Sequence, residues 1–152
     1  MSYKICFVCT GNACRSPFAE CVTKKLLAGA GIGDIEVFSL GTLDWGENSR
    51  DAAMVDVAKE LGYELSGTTT AMTREKLMAA DAVVVFDERH RDAITRVLDN
   101  SHWNRIVLFN KIAFGEDGNV EDPHYQTAAV YRRVAQHIED GCKRLIEKCM
   151  SR

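Results

Sequence analysis

Residues 8–17 read Val8-Cys9-Thr10-Gly11-Asn12-Ala13-Cys14-Arg15-Ser16-Pro17, and this stretch decides the fold. Ahead of it, Ile5 to Val8 is a short apolar run of the kind that forms a buried parallel strand. Behind it, Ser16 and Pro17 suit an N-cap and a first helical residue. Phe18, Cys21, Val22 and Leu26 then recur at helical spacing until Gly29 and Gly31 close the helix. Strand, eight-residue loop and helix in that order open a βαβ unit.

The rest of the chain continues the alternation. Ile35 to Ser39 reads as a second strand, and Asp51 to Leu61 as a helix with Ala52, Val55 and Ala58 inward, closed by Gly62. Ala82 to Phe86 is a β-branched run between charged flanks, the clearest strand of all. A short helix over Asp92 to Leu98 and a fourth strand over Ile106 to Phe109 follow. Tyr131, Val134, Ala135, Ile138, Cys142, Leu145, Ile146 and Cys149 then share one face of a long final helix. Gly141 inside that helix costs about 1 kcal/mol relative to Ala and marks a place to bend. The pattern predicts an α/β fold, one domain over residues 1–152, with a four-stranded parallel twisted sheet and helices on both faces. Ligands of such folds collect at the carboxyl ends of the strands.

Composition narrows the function. A chain of 152 residues, 46% hydrophobic and 27% charged, has room for one well-formed core. A net charge of −3 gives no general attraction to nucleic acid or to an anionic membrane, so an anionic ligand needs a local site. The apolar run at the N-terminus is too short for a secretory leader, and no stretch approaches a membrane span. Both point to a cytoplasmic protein, with its six cysteines mostly free thiols. Cysteines 6, 9 and 14 straddle a strand and its loop, and histidines 90, 102, 124 and 137 are scattered, so no metal site is expected.

The loop's residue types carry chemistry. Its backbone N–H groups, beside a helix N-terminus, form a nest suited to a tetrahedral dianion. Gly11 lets the backbone approach closely and Asn12 tolerates the left-handed region. At the base of that nest Cys9 meets N–H dipoles and Arg15, which favour thiolate over thiol. Arg15 offers a planar fork to two phosphate oxygens, and Ser16 offers its hydroxyl to the cysteine sulfur.

Taken whole, Val8 to Pro17 resembles the signature of the low-molecular-weight protein tyrosine phosphatases, and the likeness extends through Ser39-Leu40-Gly41-Thr42, Asp44-Trp45 and Asp122-Pro123. The resemblance implies a cofactor-free hydrolase acting on a phosphotyrosine protein and releasing inorganic phosphate, a monomer or weak dimer. It implies Cys9 as nucleophile, Arg15 as phosphate clamp and Asp122 as general acid. Thr10, Gly11, Asn12, Ala13, Cys14 and Ser16 would hold the substrate, with Trp45 and Tyr125 as aromatic walls. Asp44 would shape preference for residues flanking the target. Asn12 and Ser39 would support the loop, and Cys14 would close a protective disulfide with oxidised Cys9.

Some positions depart from the family pattern. Ala13 stands where a larger aliphatic residue is usual, Gly67 and Thr70 replace a histidine and an arginine of several relatives, and His90 stands near a usual polar structural site. Two other family readings remain. A protein-arginine phosphatase fits the small Ala13, whereas an arsenate reductase needs mid-chain cysteines, and none lies between Cys21 and Cys142. A non-catalytic phosphate-binding module would be expected to lack Cys9, Arg15 or the acid. No Gly-x-Gly-x-x-Gly follows the first strand, which argues against a dinucleotide site.

Overall fold

The apolar run ahead of the loop becomes β1 (Tyr3–Cys9) in a computed structural model that describes residues 2–151. β1 pairs in parallel with β2 (Ile35–Gly41) on one side and with β3 (Ala82–Val85) on the other. β3 pairs in parallel with β4 (Ile106–Leu108), giving the order β2-β1-β3-β4. The chain therefore leaves β1 toward one edge and later crosses back to build the other. The carboxyl end of β1 is the switch point, where the two directions of winding part and leave a crevice.

Side chains alternate across the sheet as the two-residue period requires. Phe7, Cys9 and Val84 enter one layer with α1 (Arg15–Gly29), α2 (Ala52–Glu60), α5 (Phe109–Phe114) and α6 (Ala128–Met150). Cys6, Val8, Val83 and Val85 enter the other, against Leu77 of α3 (Arg74–Met78) and Ile94 of α4 (Glu88–Thr95). Each fully buried Val, Leu or Phe contributes roughly 1.5–3 kcal/mol by leaving water. Both faces are covered, as predicted, and among the described residues no helix is long and apolar enough to cross a membrane.

Several element boundaries move. β1 and β2 are longer than predicted, and Cys9 is the last residue of β1 rather than the first of the loop. The helix predicted from Asp92 begins at Glu88, because the Asp87 carboxylate accepts from Arg89 N and His90 N and the His90 ring reciprocates. Histidine in place of Glu or Gln hides this capping box in the sequence. Phe109 opens α5 instead of ending β4, and α3 and α5 are too short to show a period.

The bend expected at Gly141 does not occur, since α6 runs unbroken through it. A Cβ there would sit 2.3 Å from Phe109 Cζ, so this glycine lets α6 close on α5. All six cysteines are free; Cys6 and Cys142 are core thiols, whereas Cys21 and Cys149, also expected in the core, are only half-buried.

Candidate active site

Cys9 ends β1 buried at the floor of a cleft of about 750 Å³. Its Sγ lies 2.9 Å from Ser16 Oγ on the first turn of α1. Ser16 Oγ also accepts from Asn12 Nδ2 at 2.9 Å and lies 3.3 Å from Leu40 O. With Asn12 supplying a donor, the single Ser16 proton is free to point at the sulfur whenever Cys9 is a thiolate.

Asn12 takes the left-handed conformation at φ 54° and spends its whole amide on holding it. Nδ2 donates to Ser16 Oγ and to Ser39 Oγ, the latter at 2.9 Å. Oδ1 accepts from Thr70 N at 2.9 Å and from Arg50 Nη1 at 3.1 Å. Ser39 Oγ in turn donates to Glu20 Oε1 at 2.6 Å. All four hydrogen-bonding positions of the buried amide are thereby filled. β2 presses on the loop from behind: a Cβ on Gly41 would fall 2.9 Å from Thr10 O and 3.0 Å from Asn12 N.

The carbonyls of the loop turn outward. Thr42 N donates to Cys9 O (3.0 Å), Leu43 N to Thr10 O (2.9 Å) and Asp51 N to Ala13 O (2.9 Å). Trp45 Nε1 donates to Gly11 O at 3.0 Å, and Arg50 Nη1 to Asn12 O at 2.5 Å. In a trans peptide the following N–H points the opposite way. The N–H groups of residues 10–14 therefore face the cleft, which is the nest expected from residue types.

Arg15 is buried and its Nη1 donates to Asp87 Oδ2 (3.3 Å) and Val120 O (3.0 Å). Burial works against a charged Asp87, but His90, Arg89 and Arg15 hold its carboxyl below the usual range. His90 Nδ1 accepts from Phe86 N at 3.3 Å and Asp87 N at 3.2 Å. The ring proton is thus assigned to Nε2, which donates to Thr10 Oγ1 at 3.0 Å. Burial, with the Arg15 charge, pushes His90 down to about 4, so the ring is neutral at pH 7. Arg15 Nη2, 3.4 Å from a nitrogen that carries hydrogen, gains no bond there. That end of the guanidinium is left for the cleft, where Asp122 Oδ2 stands 3.7 Å away.

Asp122 sits across the mouth on the segment before α6, about two-fifths exposed, with Oδ1 accepting from His124 N at 3.1 Å. Cys9, Thr10, Gly11, Ala13, Cys14 and Arg15 line the cleft, and Trp45, Tyr125 and Asp122 join them. The Asn12 and Ser16 side chains, expected at the substrate, are buried behind the loop and do not line the cleft, which leaves Asn12 its backbone N–H to offer an anion. Tyr125 is 93% exposed, at φ 62°, with its ring 3.9 Å from that of His124, so it forms a rim rather than a packed wall.

The cleft also contains residues the sequence reading left elsewhere. Tyr131, expected in the core, is buried but lines the cleft and donates to Asp51 Oδ2 at 2.7 Å; burial, and then that bond, push its phenol upward. An amphipathic Tyr on an apolar stripe was the available signal. Asp51 shares its carboxylate between that hydroxyl and Ala53 N, the cap of α2. Burial and nearby Cys9 push the Cys14 thiol well up, so a disulfide to Cys9 would start from the thiol, the weaker nucleophile.

Comparison with known proteins gives one consistent result. The family model described as low molecular weight phosphotyrosine protein phosphatase matches residues 4–152. A low molecular weight protein-tyrosine-phosphatase of Streptomyces coelicolor is 34% identical over 91% of this chain and 88% of its own. A protein-arginine-phosphatase of Geobacillus stearothermophilus is 32% identical over 97% of each. Among solved structures, a low molecular weight phosphotyrosine phosphatase of Vibrio cholerae superposes with a TM-score of 0.91 at 25% identity, covering 98% of this chain and 97% of that one. A low molecular weight protein tyrosine phosphatase of T. tengcongensis gives 0.89 at 30% identity, over 97% and 99%.

Proposed function

The chain belongs to the low-molecular-weight phosphotyrosine protein phosphatase family, and from that premise we propose that it hydrolyses phosphotyrosine in proteins through a phosphocysteine intermediate. One observation carries the proposal: Cys9 Sγ stands 2.9 Å from a serine hydroxyl at the floor of a loop whose N–H groups face the cleft. In the first step the Cys9 thiolate attacks phosphorus while Asp122 protonates the departing phenolic oxygen. Arg15 and the loop N–H groups hold the equatorial oxygens as charge develops on them. In the second step Asp122 takes a proton from water, which attacks the phosphocysteine. The P–S bond breaks, inorganic phosphate leaves, and the Ser16 hydroxyl supports the returning thiolate.

A second reading, phosphoarginine as substrate, has its own support. Ala13 is small, Tyr125 leaves the ring space open, and two carboxylates, Asp51 and Asp122, line the cleft where a guanidinium would lie. The Geobacillus relative bears that activity in its name. Phosphate release from a phosphotyrosine peptide and a phosphoarginine peptide decides between them, with Cys9→Ser as the blank. We expect faster release from phosphotyrosine, abolished by the substitution. Preference for phosphoarginine would keep the mechanism and reverse the specificity. Release from neither would leave a phosphate-binding module.

A further inference from the structure

The five carbonyls from Cys9 to Ala13 are held outward by donors of one segment, residues 42–51. Three of those donors are backbone N–H groups and follow from the course of the chain after β2. Two are side chains, the Trp45 indole and the Arg50 guanidinium, and they hold the adjacent Gly11 and Asn12 peptides. The loop most needs holding there, because Asn12 is the non-glycine residue that passes through φ 54°.

Arg50 is built for this position. Nη1 reaches both Asn12 O and Asn12 Oδ1, at 2.5 and 3.1 Å, and Nε donates to Ser66 O at 3.0 Å. One planar fork thus ties the peptide and the side chain of Asn12 to the neighbouring turn. Gly67 leaves room for it: a Cβ there would stand 3.3 Å from Arg50 Nη2. Gly67 itself runs at φ 87°, a conformation that favours glycine, and the guanidinium packs against its open side. Trp45 acts similarly at Gly11, its ring carbons close above the glycine while its N–H takes the carbonyl.

We propose that Arg50, from behind the loop, and the indole N–H of Trp45, whose ring also lines the cleft, are positioning groups that aim the N–H groups of Ala13 and Asn12 into the nest. The inference rests on the phosphatase reading, in which the same nest binds the transferring phosphoryl group. Holding carbonyls out should matter most for the trigonal-bipyramidal transition state, whose equatorial oxygens need all the N–H groups aligned at once.

Three variants test it. Trp45→Phe keeps an aromatic ring over Gly11 and removes the N–H; Arg50→Lys keeps the charge without the fork; Arg50→Ala removes both. For each, kcat and KM are measured on p-nitrophenyl phosphate, and dissociation constants for inorganic phosphate and orthovanadate by calorimetry. Trp45→Phe and Arg50→Ala are expected to lower kcat and vanadate affinity by about 10-fold or more, with Arg50→Lys between them and wild type. KM and phosphate affinity should move less. Values of kcat and vanadate affinity within about twofold of wild type, or a loss confined to KM, would overturn the proposal. Should Arg50→Ala fail to fold, Trp45→Phe and Arg50→Lys decide. Wild-type protein that neither binds these oxyanions nor releases phosphate would remove the phosphatase reading and this inference together; active wild type with indifferent variants removes this inference alone.

Discussion

His90 stands on the first turn of α4, and the two backbone N–H groups it accepts leave its remaining nitrogen to donate to Thr10. Such wiring suits the neutral ring, because a second proton would meet N–H groups already pointing at Nδ1. Its value of about 4 lies below the ordinary 6.5, so between these limits the unfolded chain binds the extra proton. Stability is therefore whole above pH 6.5 and falls as pH drops toward 4, by roughly 3 kcal/mol from this group alone. Urea midpoints at pH 7 and pH 4.5 should separate wild type by more than they separate His90→Asn. Equal pH dependence in the two proteins would show that the ring charges without cost. Cys9 and Arg15 were legible as candidates because their types and spacing announce a chemistry, whereas Asp122 stood out from the other carboxylates only through the family resemblance. Asp51 and Tyr131 were not legible, because an N-cap and an apolar-stripe tyrosine look structural until a single 2.7 Å bond puts both in the cleft.

At the scale of elements, α6 shows how a residue with poor propensity can be the right one. Gly141→Ala removes a helix penalty of about 1 kcal/mol yet sets a methyl 2.3 Å from Phe109 Cζ and 3.2 Å from Ala113 Cβ. Phe109 is fully buried and stacks at 5.3 Å on Phe86, so its ring has little freedom to retreat. Overpacking should win, and the substitution is expected to destabilise the protein by about 1–3 kcal/mol. A thermal midpoint at or above wild type would mean that the two helices can part. Strands with β-branched runs, such as Ala82 to Val85, and the long period of α6 could be read directly from sequence. Elements of five or six residues, α3 and α5, could not, because fewer than two turns carry no period.

At the scale of the whole molecule, β1 lies inside the sheet and delivers Cys9 to the point where loops from both directions of winding meet. β2 supplies Ser39 and Gly41, the 42–51 segment supplies the outward clamps, β3 leads to Asp87 and His90, and the approach to α6 supplies Asp122. Alternation of strand and helix made this architecture readable, whereas the convergence of four distant segments on one loop is a property of topology and left no local mark. The outward carbonyls have one more consequence. Their partner amides, at residues 10–14, donate to no acceptor among the described residues, although the loop around them is firmly held. In hydrogen–deuterium exchange these amides should therefore trade protons quickly despite their rigid setting, and saturating phosphate should protect them far more than the amides of the core strands. Slow exchange without phosphate would mean that the loop hides these amides by itself, and that its readiness for an anion is not written in its backbone.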